Sequence, residues 1–164
     1  MVTIQKIVVR PFRPSDLNSV IEINRKCLPE NYSTNFFMDI YQNCPEAFLV
    51  AEVEGRVVGY VMCRLERGFS DFNRLKIVKK GHVVSVAVLQ ECRRRGIGSS
   101  LIAQALKGLL NAQAKECYLE VRVSNEAGIK LYRKLGFEIT RRIASYYHDG
   151  EDAYVMSKRL CLVL

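Results

Sequence analysis

Apolar residues change their spacing several times along the chain, and each change marks an element. From Thr3 to Pro11 they alternate with β-branched residues in between, the period of a half-buried strand. Pro14-Ser15-Asp16 then opens a helix, with Ser15 as its expected N-cap. Leu17, Val20, Ile21 and Leu28 repeat at helical spacing, and Pro29 ends the run. A polar, aromatic loop over residues 30–35 leads into a short helix over 36–43. Two apolar runs, 47–53 and 57–64, flank Glu54-Gly55 and predict a hairpin. The pattern then dissolves over 67–80, which predicts a basic, irregular connector, functional or mobile. Residues 82–88 form a β-branched strand. Ile97, Leu101, Ile102, Ala105, Leu106 and Leu109 share one face of a helix over 96–112. A strand over 117–123, a helix over 125–135 stopped by Gly136, and a hairpin of 137–147 with 152–160 about Asp149-Gly150 complete the reading. Strands alternating with helices, without repeats or linkers, predict one mixed α/β domain over 1–160. The apolar tail 161–164 is left to pack on the domain or meet a neighbour.

Composition changes this picture little. The chain has 164 residues, nearly half of them apolar, enough for a core without staples. Its formal charge of +8 suits nucleic acid, a ribosome, a membrane surface or a polyphosphorylated ligand. The longest basic runs are Lys79-Lys80 and Arg93-Arg94-Arg95, too short for a nucleic-acid arm, so specific nucleic-acid binding is not expected. Six scattered cysteines contain no C-x-x-C pair and read as reduced thiols of a cytoplasmic protein; Cys92, beside three arginines, is the one whose reactivity they would raise. No apolar run is long enough for a membrane span, so a soluble chain without a membrane role is expected.

The candidate chemistry lies where the strand 82–88 runs into Arg93-Arg94-Arg95-Gly96-Ile97-Gly98 and a long helix. Glycines permit a tight turn, consecutive N–H groups converge at the helix start, and the dipole and arginines add positive charge. Such a site suits a pyrophosphate. A P-loop would close with Gly-Lys-Ser/Thr, and here Gly98 precedes Ser99-Ser100; the third glycine of a dinucleotide fingerprint is also missing.

Arg-x-x-Gly-x-Gly in this setting resembles the signature of the GCN5-related N-acetyltransferase superfamily. Val83-Val84-Ser85-Val86-Ala87-Val88 resembles the preceding strand of that family. Residues 117–137, ending Leu131-Tyr132-Arg133-Lys134-Leu135-Gly136-Phe137, resemble its later strand–helix unit. The resemblance covers essentially the whole chain and implies a central mixed, mostly antiparallel sheet flanked by helices. It implies acetyl-CoA as co-substrate, its pantetheine arm paired with the backbone of Val86, Ala87 and Val88. Arg94, Arg95, Gly96, Ile97, Gly98 and Ser99 would wrap the pyrophosphate with Arg93 nearby, and Asn125 and Tyr132 would lie at the thioester end. Tyr132 also reads as an amphipathic core tyrosine.

Three stretches bear on the acceptor: Leu28-Pro29-Glu30-Asn31-Tyr32, Gly81-His82-Val83-Val84-Ser85, and the last hairpin with Tyr146-Tyr147. Together they resemble NatA-type protein N-terminal acetyltransferase catalytic subunits, particularly archaeal ones. That resemblance implies protein N-termini as partners, starting with Ser, Ala, Thr, Gly or even Met, framed by Glu30, Tyr32, Tyr146 and Tyr147. An α-ammonium has a pKa near 8, so a modest fraction is neutral at pH 7 and local help suffices. Glu30 could orient and deprotonate it directly or through water; His82 and Glu120 could share the base role, and Tyr132 could protonate the departing thiolate. Each carboxylate also reads as a solvated charge, and His82 as a strand-start hydrogen-bonder. No metal is expected, the pair His82–Glu120 being at most an incomplete zinc site. A lysine or small-amine acetyltransferase, or an acetyl-CoA-binding module without turnover that meets the ribosome through its basic face, remains the alternative.

Overall fold

The computed structural model describes residues 4–161, and the expectations for Thr3 and for residues 162–164 of the tail fall outside them. Seven strands among these residues form one sheet in the order β1-β2-β3-β4-β5-β7-β6. They are β1 (Ile7–Pro11), β2 (Phe48–Val53), β3 (Arg56–Phe69), β4 (Ile77–Val88), β5 (Glu116–Arg122), β6 (Glu138–Ile143) and β7 (Ala153–Arg159). All neighbours are antiparallel except β4 and β5. Helices α1 (Leu17–Cys27), α2 (Thr34–Asn43), α3 (Ile97–Asn111) and α4 (Glu126–Lys134) flank the sheet. Cys161 is exposed. No helix among the described residues is long and apolar enough to cross a membrane.

Helix α3 uses the face that its sequence period marks: Ile97, Leu101, Ile102, Ala105 and Leu109 are buried. It approaches the turn Pro45–Ala47 so closely that a Cβ on Gly108 would lie 2.0 Å from the carbonyl oxygen of Glu46. On the sheet's other side Phe12 stacks on Phe48 at 4.0 Å, and Phe37 meets Tyr60 edge-on.

Several expectations are corrected. Ser15 does not cap α1. Residues Pro14–Asp16 make a 3₁₀ turn, and the Asp16 carboxylate instead accepts the Arg13 N–H at 2.8 Å and both Arg10 Nη atoms at 2.8 Å. Aspartate wins because Arg10, which also binds Glu52, lies within reach. Strand β1 starts at Ile7, and residues 4–6 are not part of it. The second helix starts two residues early because the Ser33 hydroxyl accepts the Phe36 N–H at 3.2 Å. The connector 67–80 is irregular only over residues 70–76, and its two ends are paired strand: Arg67 pairs with Lys79, Gly68 with Val78 and Phe69 with Ile77. Arg67 is exposed, and the buried Lys80 is satisfied by Asp71 and the Phe69 carbonyl, so lysine and arginine sit in these strands without an apolar alternation to announce them. The last hairpin's first strand ends at Ile143, not Tyr147. Cys92 is buried in the core, so the exposure that reactivity beside the three arginines would need is missing.

The feature that shapes the site lies in β4. Ser85 pairs with Met62 and Val83 with Cys63, which leaves Val84 as an extra residue. Such a bulge bends its strand. On the other side β4 pairs with β5 over three positions only, Lys80 with Glu116, Gly81 with Cys117 and His82 with Tyr118. Beyond His82 the two strands part, and the sheet opens.

Two stability outcomes follow. Replacing Gly108 with Ala should destabilise the fold by about 1–3 kcal/mol in denaturant titration despite alanine's better helix propensity, because α3 must move off the Glu46 carbonyl. Hydrogen bonds from Arg10 lower the Asp16 pKa from its ordinary 3.8. Their stabilisation is therefore complete above that value and lost as pH falls through the lowered one. Asp16→Asn should lower the melting temperature at pH 7, and its deficit against the parent should shrink in scans taken progressively below pH 4.

Candidate active site

Where β4 and β5 part, a cleft of about 530 Å³ opens, lined by Val83–Val86 on one side and Leu119–Arg122 on the other. Leu28, Pro29, Glu30 and Tyr32 reach it from the loop after α1, Asn125 and Tyr132 from the start and body of α4, and Tyr146, Tyr147 and His148 from the loop between β6 and β7. Strand parting thus brings together residues from the two ends of the chain, from Leu28 to His148.

A buried polar network fixes the loop after α1. The Asn24 amide donates to the Glu30 carbonyl at 3.1 Å and to the Tyr60 hydroxyl at 3.1 Å, and that hydroxyl shares a 2.7 Å hydrogen bond with Ser85. Burial pushes the Tyr60 hydroxyl up to about 12, so it stays protonated. The network ties α1, β3 and β4 to the backbone that carries Glu30. Sequence reading missed these three residues; a buried Asn beside Val20 and Ile23 on the apolar face of α1 was the available signal.

Arg122 was also missed. Its Nη1 binds Asp149 at 2.8 Å and Glu151 at 3.0 Å, its Nη2 lies 3.4 Å from Glu30, and its guanidinium sits 4.0 Å from the Tyr147 ring centroid. One cation at the end of β5 therefore staples both mouth loops together. Tyr146 and Tyr147 pack edge to face at 5.0 Å. Burial raises the hydroxyl pKa of Tyr32 above its usual value, and Glu30 and Glu120 add to the effect. Burial likewise raises those of Tyr146 and Tyr147. The mouth thus presents protonated phenols and carboxylates.

Glu120 lines the cleft, whereas His82 stands behind it with Nε2 2.7 Å from Glu120 Oε2. Tyr132 also lines the cleft, and burial pushes its hydroxyl up to about 12. Among the described residues no group of three His, Cys, Asp or Glu is placed to hold a metal ion.

The loop expected to hold a pyrophosphate has the backbone of an anion cradle. Arg94 and Gly96 both have left-handed φ, 67° and 76°, and Gly96 leads directly into α3. The first N–H groups of α3, at Ile97, Gly98 and Ser99, have no intrahelical acceptor. A Cβ on Gly96 would meet nothing within 4 Å, so the loop faces open space. The arginines are not all turned to that point: Arg93 Nε donates to the Val88 carbonyl at 2.9 Å, and Arg95 donates to Gln5 at 3.0 Å. The cleft reaches Val86, but the Ala87 side chain is buried and the Val88 carbonyl is already engaged by Arg93. Asn125 caps α4, its side-chain oxygen accepting the Gly128 N–H at 2.9 Å. An unpaired strand edge followed by this cradle fits a pantetheine arm and pyrophosphate of acetyl-CoA.

Known proteins resemble this chain in sequence and in fold. The N-alpha-acetyltransferase of Sulfurisphaera tokodaii is 50% identical over 154 residues, 93% of this chain and 92% of that protein. The N-terminal acetyltransferase A complex catalytic subunit ard1 of Schizosaccharomyces pombe is 36% identical over 153 residues, 92% of this chain and 84% of that one. The crystal structure of Ard1 from Thermoplasma volcanium superposes with a TM-score of 0.81 at 31% identity, covering 95% of this chain and 99% of that chain. The model of the acetyltransferase (GNAT) family matches residues 17–137, a span that contains the bulged strand, the anion cradle and α4. By fold, cradle and sequence alike, this chain belongs to the acetyltransferase (GNAT) family.

Proposed function

We propose that this chain transfers the acetyl group of acetyl-CoA to the α-amino group of protein N-termini. The observation that carries the reading is the single cleft in which Glu30, Tyr32, Glu120, Tyr146 and Tyr147 face the open edge of β4. It is supported by the similarity to N-alpha-acetyltransferases over nearly the whole chain.

Acetyl-CoA supplies an activated thioester that an uncharged amine attacks directly. The residues that would hold it are the Val83–Val86 edge and the N–H groups of Ile97, Gly98 and Ser99, with Arg94 beside them. The acceptor arrives as an ammonium, which the carboxylates Glu30 and Glu120 attract at the mouth. Glu120, at the parted end of β5, takes the ammonium proton, and the His82 Nε2–H holds that carboxylate in place. Glu30, restrained by Arg122 and by Asn24 through its backbone, orients the amine. Tyr132 keeps its proton throughout the neutral range and is the hydroxyl available to a departing thiolate. Tyr146 and Tyr147 cover the first residues of the peptide, and small first residues (Ser, Ala, Thr, Gly) are the class that the NatA resemblance favours. The basic surface suits a ribosome as the place where such N-termini emerge, and a cytoplasmic location accords with that.

Two outcomes test this. Short peptides with a free Ser or Ala N-terminus should be acetylated, and the same peptides blocked at the α-amine but carrying a lysine should not; transfer to the blocked lysine peptide alone would point to a side-chain acetyltransferase instead. Glu120→Gln should lower kcat by roughly 100-fold, the low end of general-base effects, while acetyl-CoA binding by calorimetry stays at the parent affinity. A variant with full kcat would remove Glu120 from the base role.

A further inference from the structure

His82 Nδ1 is the buried side-chain nitrogen that lacks a hydrogen-bond partner among the described residues. Its other nitrogen, Nε2, lies 2.7 Å from Glu120 Oε2. A ring proton on Nδ1 would leave a buried N–H unsatisfied and set a bare Nε2 against a carboxylate oxygen. A proton on Nε2 satisfies the carboxylate and leaves only a bare ring nitrogen buried, the cheaper loss. The hydrogen bond to Glu120 holds one edge of the imidazole, and no second hydrogen bond fixes the plane of the ring.

What lies against the ring is Tyr118. Its phenol stacks on His82 with centroids 4.4 Å apart and planes 3° from parallel. Tyr118 is the residue directly opposite His82, at the last pair before β4 and β5 part. Its hydroxyl donates to the Glu66 carboxylate of β3, which in turn lies 3.4 Å from Arg64 Nε. Lys80, held by Asp71 and the Phe69 carbonyl, sits 4.6 Å from the Tyr118 ring centroid. Tyr118 itself does not line the cleft.

We propose that Tyr118, anchored through its hydroxyl by Glu66, is a positioning residue that holds His82 in the plane and tautomer that donate Nε2–H to Glu120. This rests on the reading of Glu120 as the base. Three strands then contribute in series: β3 supplies the anchor Glu66, β5 the stacked ring, and β4 the imidazole. The stack also explains how a histidine with one bare buried nitrogen keeps a single orientation beside a gap in the sheet.

The test uses Tyr118→Phe, which keeps the ring and frees it, together with Glu66→Ala and the double variant. Acetyl transfer to a free-N-terminus peptide should show kcat lowered roughly five- to tenfold in each single variant with both KM values within about twofold of the parent, a fraction of what the base itself contributes. The double variant should be no worse than Tyr118→Phe, since both cut one link. In ¹⁵N spectra His82 should report the Nε2–H tautomer in the parent and a mixture in Tyr118→Phe, a signature that loss of folding stability alone does not produce. Parent-like kcat together with a parent-like His82 spectrum in Tyr118→Phe overturns the proposal. Should Glu120→Gln abolish turnover while Tyr118→Phe changes nothing, the base reading stands and the positioning role falls. Should Glu120→Gln retain full turnover, the base reading falls, and the His82 spectrum alone decides whether Tyr118 positions the ring.

Discussion

The parting of β4 from β5 after three residue pairs is the constraint on which the rest of the structure depends. A sheet interior normally satisfies every backbone N–H and carbonyl with a neighbouring strand. Here the bulge at Val84 turns β4 away just past His82, while β5 continues alongside β7 as far as Arg122. The unpaired edge of β4 lines an open cleft, where water can satisfy its backbone groups and where, on the proposed reading, a ligand backbone would add as a strand. The glycine-led turn into α3 then stands at the end of that edge, where the phosphates of the same ligand would arrive.

The same gap explains why so many charged and phenolic side chains gather around it. Glu120 and Arg122, two positions apart on β5, project from the same face of the sheet and line the opening where the strands part. Arg122 uses its position to hold both mouth loops, one through Glu30 and the other through Tyr147, Asp149 and Glu151. Asn24, Tyr60 and Ser85 do the equivalent from beneath. The acceptor side is thus built on loops, but loops tied to strand ends and a helix rather than left to themselves. Behind the cleft, the order Glu120, His82, Tyr118, Glu66 runs across three strands and draws its geometry from sheet register alone.

Much of this was legible along the chain. The strand before the arginines, the cradle and the amphipathic α3 follow from residue types and spacing, because local backbone chemistry is nearly all they require. The hairpin strands 67–69 and 77–80 were not legible, since arginine and lysine interrupt their apolar period and the partners that accommodate Lys80 come only with the fold. The Ser15 cap failed for a different reason: only the fold brings Arg10 and Glu52 to Asp16. Tyr118 carried no local signal either, because its importance lies in being the last residue paired with His82.

The sequence by itself determined the elements, the anion cradle and the kinship to acetyltransferases, for these rest on short-range pattern and motif. It also nominated Glu30, Tyr32, His82, Glu120, Tyr132, Tyr146 and Tyr147 one at a time. Only the tertiary structure decided that they meet in one cleft, that Glu120 faces it while His82 stands behind, and that Arg122 joins the two mouth loops. The reason is register. A one-residue bulge at Val84 and the three-pair limit of β4 with β5 set which side chains share a face and where the sheet opens, and neither has a signature in the order of residues along the chain.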